Sequence, residues 1–87
     1  MDKLTKKQRE LFEALAAAEH ERWSDWQRIL HNRCEVREDG CLIIPAELAT
    51  HWEQQIGTPY EDLSEEDKDK DREQVWRYWP LIEDYIR

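Results

Sequence analysis

The spacing of mainly apolar positions predicts one long helix near the start of the chain. Thr5 and Gln8 have the spacing of a capping box, which marks a helix N-terminus. From there to Asn32, one set of positions recurs every three or four residues, which is the period of a single helix face. These positions are Phe12, Ala16, Glu19, His20, Trp23, Trp26 and Leu30, with Leu11, Leu15 and Ala18 beside them. We expect this face to turn inward.

The pattern changes after Arg33 and predicts a hairpin followed by a second helix. Asp39-Gly40 stands between residues 35–37 and the β-prone residues 41–44, which is a strong short-range hairpin signal. Pro45 suits the first turn of a helix, because the amide hydrogen it lacks has no partner there. That helix is expected to reach Ile56, with Gly57 as a left-handed cap.

A third helix is predicted after an extended connector over residues 58–63, since Pro59 disfavours helix at the residue before it. Ser64 is a good N-cap, and the three carboxylates that follow it favour the positive end of the helix dipole. We expect this helix to be interrupted at Pro80 and followed by a final turn over residues 81–86. The residues expected to face the core are Val75, Trp76 and Trp79.

Taken together, these elements predict a mainly α fold: one compact domain over residues 1–87, with three to four helices and a small β-hairpin between the first and second helices. A chain of 87 residues has room for one core. The high charged fraction, 39%, could also indicate disorder. Five tryptophans argue against disorder, because each can bury a large apolar area.

The net charge of −8 argues against a sequence-independent nucleic-acid binder, whose affinity comes from cations that neutralise phosphates. No apolar run approaches the length of a membrane span, and the first residues do not resemble a signal peptide. We therefore expect a soluble, cytoplasmic protein that binds neither nucleic acid directly nor a membrane. Eight acids and three bases lie within Glu61–Glu73. They are either a solvated helix start or an acidic face for a basic host protein.

The chain lacks the motifs of common active sites. No serine has the context of an activated nucleophile, and two glycines cannot build a phosphate-binding loop. Cys34 and Cys41 match no common zinc motif, and a disulfide would require the strands to place them opposite each other. We expect reduced cysteines, no metal, no cofactor and no enzyme activity.

The aromatic residues leave two interpretations open. Five tryptophans exceed what a small three-helix core requires. They either pack as the core or line a pocket for a flat ring such as a nucleobase. His20, one helical turn before Trp23, is either a core histidine or a hydrogen-bonding group for a ligand.

Two stretches of the chain resemble the ryanodine-receptor repeat domain, and small phage or prophage versions of that domain look most alike. Glu19-His20-Glu21-Arg22-Trp23 resembles its His-x-x-Trp signature. Residues 58–72 resemble its block of Pro-Tyr, then Leu, then acidic-Lys, then Asp-Arg. The matching positions are His20, Trp23, Pro59, Tyr60, Leu63, Asp71 and Arg72. Residues 34–57 depart from the family, because its Gly-Trp and Tyr-Gly turn is missing.

The resemblance implies an α-rich, non-enzymatic module of a kind suspected in prokaryotes of sensing nucleotide-like ligands. It leads to the hypothesis of a nucleotide-type small molecule bound in an aromatic pocket between the first and third helices. Trp23 and Tyr60 would stack on the ligand, with Trp76 beside them, Arg72 would pair with an anion, and His20 would form a hydrogen bond. The alternative is an acidic interaction module, such as a phage-encoded inhibitor or nucleic-acid mimic, acting through Glu61–Glu73. An exposed tryptophan patch could also form a dimer.

Overall fold

The computed structural model describes residues 3–87 and confirms the mainly helical fold with a hairpin between the first two helices. A 3-10 turn precedes the third helix. The elements, in chain order, are α1 (Lys6–Arg33), β1 (Glu35–Val36), β2 (Leu42–Ile43), α2 (Ala46–Ile56), the 3-10 turn (Tyr60–Asp62) and α3 (Glu65–Ile86).

The predicted capping box starts α1. The Gln8 backbone amide donates to Thr5 Oγ1 at 3.1 Å, and the Thr5 amide donates to Gln8 Oε1 at 3.0 Å. Both bonds satisfy amide hydrogens that have no partner inside the helix. The helix ends at Arg33, and the extended backbone of Cys34 leads directly into the hairpin.

The hairpin has the predicted turn, but its register keeps the two cysteines apart. Gly40 adopts a positive φ of 91°, and the Asp39 carboxylate accepts from the Cys41 amide at 3.0 Å. Val36 lies opposite Leu42 in an antiparallel pair. Cys34 and Cys41 therefore do not face each other, and both are free.

Helix α2 ends at Gly57 without the left-handed cap that we predicted. Gly57 has a φ of −82°, and its amide donates to the Glu53 carbonyl at 3.1 Å. The Thr58 hydroxyl donates to the Gln54 carbonyl at 2.6 Å. Because these bonds satisfy carbonyls of the last turn, no left-handed residue is needed. An edge-to-face contact between Trp52 and Trp26, 5.4 Å between ring centres, attaches α2 to α1.

Two further predictions on the third helix were wrong. The expected extended connector contains the turn Tyr60–Asp62, and α3 continues through Pro80 instead of stopping there. Ser64 caps the helix as predicted, accepting from the Asp67 amide at 3.1 Å. Proline removes one helical hydrogen bond. Contacts to α1 at Tyr78 and Tyr85, on either side of Pro80, hold both halves of the helix in place.

Polar side chains join α1 and α3, which run antiparallel. The Tyr78 hydroxyl donates to Glu19 Oε2 at 2.6 Å, and Arg77 Nη2 donates to Asp25 Oδ2 at 2.7 Å. Near the other end of the pair, the Lys7 ammonium lies 4.8 Å from the centre of the Tyr85 ring. Contacts of this kind fix the rotation of each helix about its axis as well as the spacing between them.

This rotation corrects the predicted inward face of α1. The half-buried side of α1 carries Leu11, Leu15, Ala18, Arg22 and Asp25, whereas His20 is exposed. Trp76, expected in the core, is 67% exposed. Successive helical residues are about 100° apart, so Trp76 lies about 200° around α3 from Tyr78. Tyr78 contacts α1, and Trp76 is therefore on the opposite side of α3.

The chain is open for its size. None of the described residues 3–87 is fully buried, and the five tryptophans do not form a common core. The radius of gyration is 17.3 Å, where a compact chain of this length has about 12 Å. The accessible surface is 7375 Å², compared with about 5,500 Å² for a compact chain of 10.7 kDa.

The contact between α1 and α3 should depend on pH through Glu19. Hydrogen bonds from Arg22 and Tyr78 lower the pKa of the Glu19 carboxyl from 4.5 to about 2. Because the pKa is depressed in the folded state, the charged form stabilises the fold above pH 4.5. That contribution is lost as the pH falls from 4.5 to about 2.

We expect Glu19→Gln to lower the melting temperature at neutral pH, and this deficit should shrink toward zero as the pH approaches 2. Thermal melts of both proteins between pH 2 and 7, followed by circular dichroism, measure it. Glu13→Gln, on the exposed side of α1, is the matched control. An equal deficit at every pH would contradict the role of the Glu19 charge.

Candidate functional site

The outer face of α1 carries an aromatic pair beside a polar groove. The rings of His20 and Trp23 are nearly parallel, 19° apart, with centres separated by 6.2 Å. Trp23 is 51% exposed, so much of the indole is open to solvent. It borders an open groove of about 470 Å³, whose other lining residues are Ser24, Gln27, Arg28, His31 and Asn32.

Sequence reasoning missed these polar groove residues, although their spacing reveals them. Positions 23, 27 and 31 form one row along a helix, and positions 24, 28 and 32 form the row next to it. The predicted face of α1 follows mainly apolar positions, and of the groove residues it includes only Trp23. Hydrogen-bonding and basic groups at this spacing share one face with Trp23.

Arg28 is the exposed cation of the groove. Its Nη1 atom lies 2.8 Å from Asp25 Oδ1, and its side chain is 72% exposed. Asp25 pairs with two arginines, because its Oδ2 atom also lies 2.7 Å from Arg77 Nη2. Hydrogen bonding from Arg77, more than from Arg28, lowers the pKa of Asp25. Arg28 thus keeps donor groups directed to solvent beside Trp23.

A second group of predicted site residues lies at the start of α3. The Lys68 ammonium lies 5.7 Å from the centre of the Tyr60 ring, and Tyr60 is near enough to Arg72 to raise its pKa. Arg72 Nη1 donates to Glu65 Oε2 at 2.9 Å and to Asp69 Oδ1 at 2.8 Å. These two bonds are the main causes of the raised pKa of Arg72.

The five predicted ligand-binding residues therefore fall in three places. The structure brings His20 and Trp23 together, and it brings Tyr60 near Arg72. Within residues 3–87, no hydrogen bond, ion pair or ring contact links these two groups, and Trp76 stands apart on α3. Arg72 is already held by two carboxylates, so a ligand anion would have to displace them.

The space between α1 and α3, where we expect the pocket, is an apolar groove. It measures about 530 Å³ and lies open to solvent along one side of the helix pair. None of the five predicted residues lines it. The lining residues are Phe12, Leu15, Ala16, Glu19, Val75, Tyr78 and Ile82.

Neither a metal centre nor a membrane span is found in the part of the chain that the structure describes. Across residues 3–87, no three histidine, cysteine or acidic side chains converge as metal ligands would. No helix in the same range has the length and apolar character needed to cross a membrane.

No protein-family model matches the chain, and no curated protein or solved structure matches it. The resemblance to the ryanodine-receptor repeat domain thus stays a prediction carried by the two motifs.

The ion pairs of Arg72 can be tested on Glu65. Hydrogen bonding from Arg72 is the largest cause of the lowered pKa of Glu65, and the charge of Lys68 contributes less. We expect Arg72→Gln to return the Glu65 pKa toward its ordinary value, while Lys68→Gln moves it less. A pH titration of the Glu65 side-chain carboxyl carbon by NMR measures both. An equal effect of the two variants would contradict this arrangement.

Proposed function

We propose that this chain is a small, non-enzymatic cytoplasmic module that binds a nucleotide-type or related aromatic molecule on the outer face of α1. The observation that carries the proposal is the exposed His20–Trp23 ring pair at the edge of a polar groove. A base would stack on the Trp23 indole, and Arg28 would pair with phosphate oxygens. The proposed site is therefore the groove beside Trp23, and not the space between α1 and α3 that the sequence analysis indicates.

The groove has the side chains that a nucleotide requires. Stacking on an aromatic ring contributes about 1–3 kcal/mol per base. Ser24, Gln27 and Asn32 offer hydroxyl and amide groups for the polar edge of a base or a sugar. His31, in the last turn of α1, adds an imidazole ring that can form a hydrogen bond.

The acidic alternative is less favoured, because internal contacts account for much of the charge in Glu61–Glu73. Lys68 pairs with Glu65, Lys70 pairs with Glu66 and Asp67, and Arg72 pairs with Glu65 and Asp69. The first-turn acids also favour the positive end of the α3 dipole. Internal pairs and the helix dipole account for Glu65, Glu66, Asp67 and Asp69 without a basic host protein, whereas the segment as a whole keeps a net charge of −5.

A thermal-shift screen with mono-, di- and cyclic nucleotides and with adenosine and nicotinamide derivatives tests the proposal. A ligand at 100 times its dissociation constant stabilises the folded state by about 2.7 kcal/mol. For a domain of this size, we expect a rise in melting temperature of about 10 °C or more. Quenching of tryptophan fluorescence should saturate over the same range of ligand concentration.

Matched substitutions locate the site. Trp23→Ala should abolish the shift, and Arg28→Gln should weaken the binding of phosphorylated ligands more than that of nucleosides. Trp76→Ala removes a more exposed indole from α3 and should leave binding unchanged. A screen with no shift, or a shift that survives Trp23→Ala, would contradict the proposal.

A further inference from the structure

One side of the α1–α3 pair carries a continuous apolar surface that no other part of residues 3–87 covers. On α1 this surface includes Phe12, which is 59% exposed. On α3 it includes Val75, which is 53% exposed. Phe12 and Val75 line the same groove together with Ile82, so the two helices present their apolar residues on the same side. We call this surface the apolar face.

The polar contacts between the helices explain why this face is left open. Glu19–Tyr78 and Asp25–Arg77 turn the half-buried sides of α1 and α3 toward each other. The apolar residues of α1 and α3 that the sequence predicts to face inward, such as Phe12 and Val75, therefore lie beside the helix–helix contact and not within it. Trp79 and Ile86, also exposed, extend this stripe along α3, since residues 75, 79, 82 and 86 share one helix face.

The excess exposed area matches the demand of a stable dimer. The chain exposes 7375 Å², about 1,900 Å² more than a compact chain of 10.7 kDa. Covering that excess on two copies would bury about 3,800 Å², which lies within the range of obligate homodimers. Such interfaces resemble a domain core cut in half, which fits a chain whose described residues include none that are fully buried.

The charge distribution also fits a second copy. Residues 3–9 contain four bases and no acid, whereas Glu61–Glu73 has a net charge of −5. The contact of Lys7 with Tyr85 places the basic segment at the C-terminal end of α3. The acidic segment lies at the other end, about 27 Å away along the helix. A two-fold axis through the middle of the face would set the basic residues 3–9 of each copy near the acidic segment of the other. Glu10, Glu13, Glu83 and Asp84 lie at the same end as residues 3–9, so the complementarity belongs to that segment and not to the whole end.

We propose that the chain forms a symmetric homodimer through the apolar face, with the α1–α3 pairs of the two copies packed antiparallel. Phe12, Val75 and Trp79 form the buried centre, and Ile86 extends it toward the C-terminal end of α3. The basic residues 3–9 and the acidic segment Glu61–Glu73 set the orientation. Trp23 lies on the same side of α1 as Phe12, at the edge of the apolar face. This inference does not rest on the proposed function, because neither Phe12 nor Val75 lines the groove beside Trp23.

Sedimentation equilibrium of the full chain over a wide range of concentrations tests the proposal. We expect twice the 10.7 kDa chain mass, together with a melting temperature that rises with protein concentration. Phe12→Glu and Val75→Glu should each return the mass to that of one chain. Val36→Glu, at a 72% exposed position in the hairpin, is the matched control and should leave the dimer intact.

Charge reversal tests the orientation. Lys6→Glu and Glu66→Lys should each weaken self-association, roughly tenfold, and the double variant should restore it. Glutamate at the first position of α1 favours the helix dipole, so loss of helix stability would not explain the effect of Lys6→Glu. Lack of rescue in the double variant would overturn the antiparallel arrangement.

Two results would overturn the proposal as a whole. One is a wild-type chain of single mass at every concentration that still melts cooperatively, which would leave the apolar face to a different partner. The other is a dimer that both Phe12→Glu and Val75→Glu leave intact. Either result would leave the nucleotide screen unaffected, because that screen reads binding at Trp23.

Discussion

The hydrogen bonds between α1 and α3 are the constraint on which the rest of the structure depends. Glu19 receives the Tyr78 hydroxyl, and Asp25 receives the Arg77 guanidinium. They fix which side of each long helix is covered, because a bonded carboxylate leaves little freedom for the helix to rotate. Because the helices are held in this orientation, the apolar face and the groove beside Trp23 are both left exposed.

This arrangement separates two surfaces of different chemistry on the same helix. The outer side of α1 combines Trp23 with polar and basic groups that suit a flat, anionic ligand. The side next to the α3 contact is apolar and suits another protein surface. A small domain can use one helix in both ways, because the 3.6-residue period places neighbouring rows on distinct faces. Trp23 stands at the border of the two surfaces.

Several features followed from local chemistry and were predicted well. The capping box at Thr5, the Asp39-Gly40 turn and the Ser64 cap each depend on residues within a few positions of one another. The continuation of α3 through Pro80 was missed, because contacts made by Tyr78 and Tyr85 with α1 compensate for a local defect. For the candidate site, His20 and Trp23 were paired correctly by their helical spacing. Arg72 pairs with Asp69, a local contact that the sequence allows, and also with Glu65, two turns earlier, which was not predicted.

Local sequence determined where most elements begin and end, since caps, turns and helix propensity act over short distances along the chain. The continuation of α3 through Pro80 depended on contacts with α1. The tertiary structure decided which helix face is covered. Hydrophobic periodicity placed Phe12, His20 and Trp23 inward, whereas paired polar groups put Leu15 and Ala18 there. An apolar stripe on a helix indicates that this face is stabilised by burial, but it does not specify which surface covers it. The reason is that the hydrophobic effect is non-directional. In this protein, hydrogen bonds between residues more than 50 positions apart fix which faces of α1 and α3 meet.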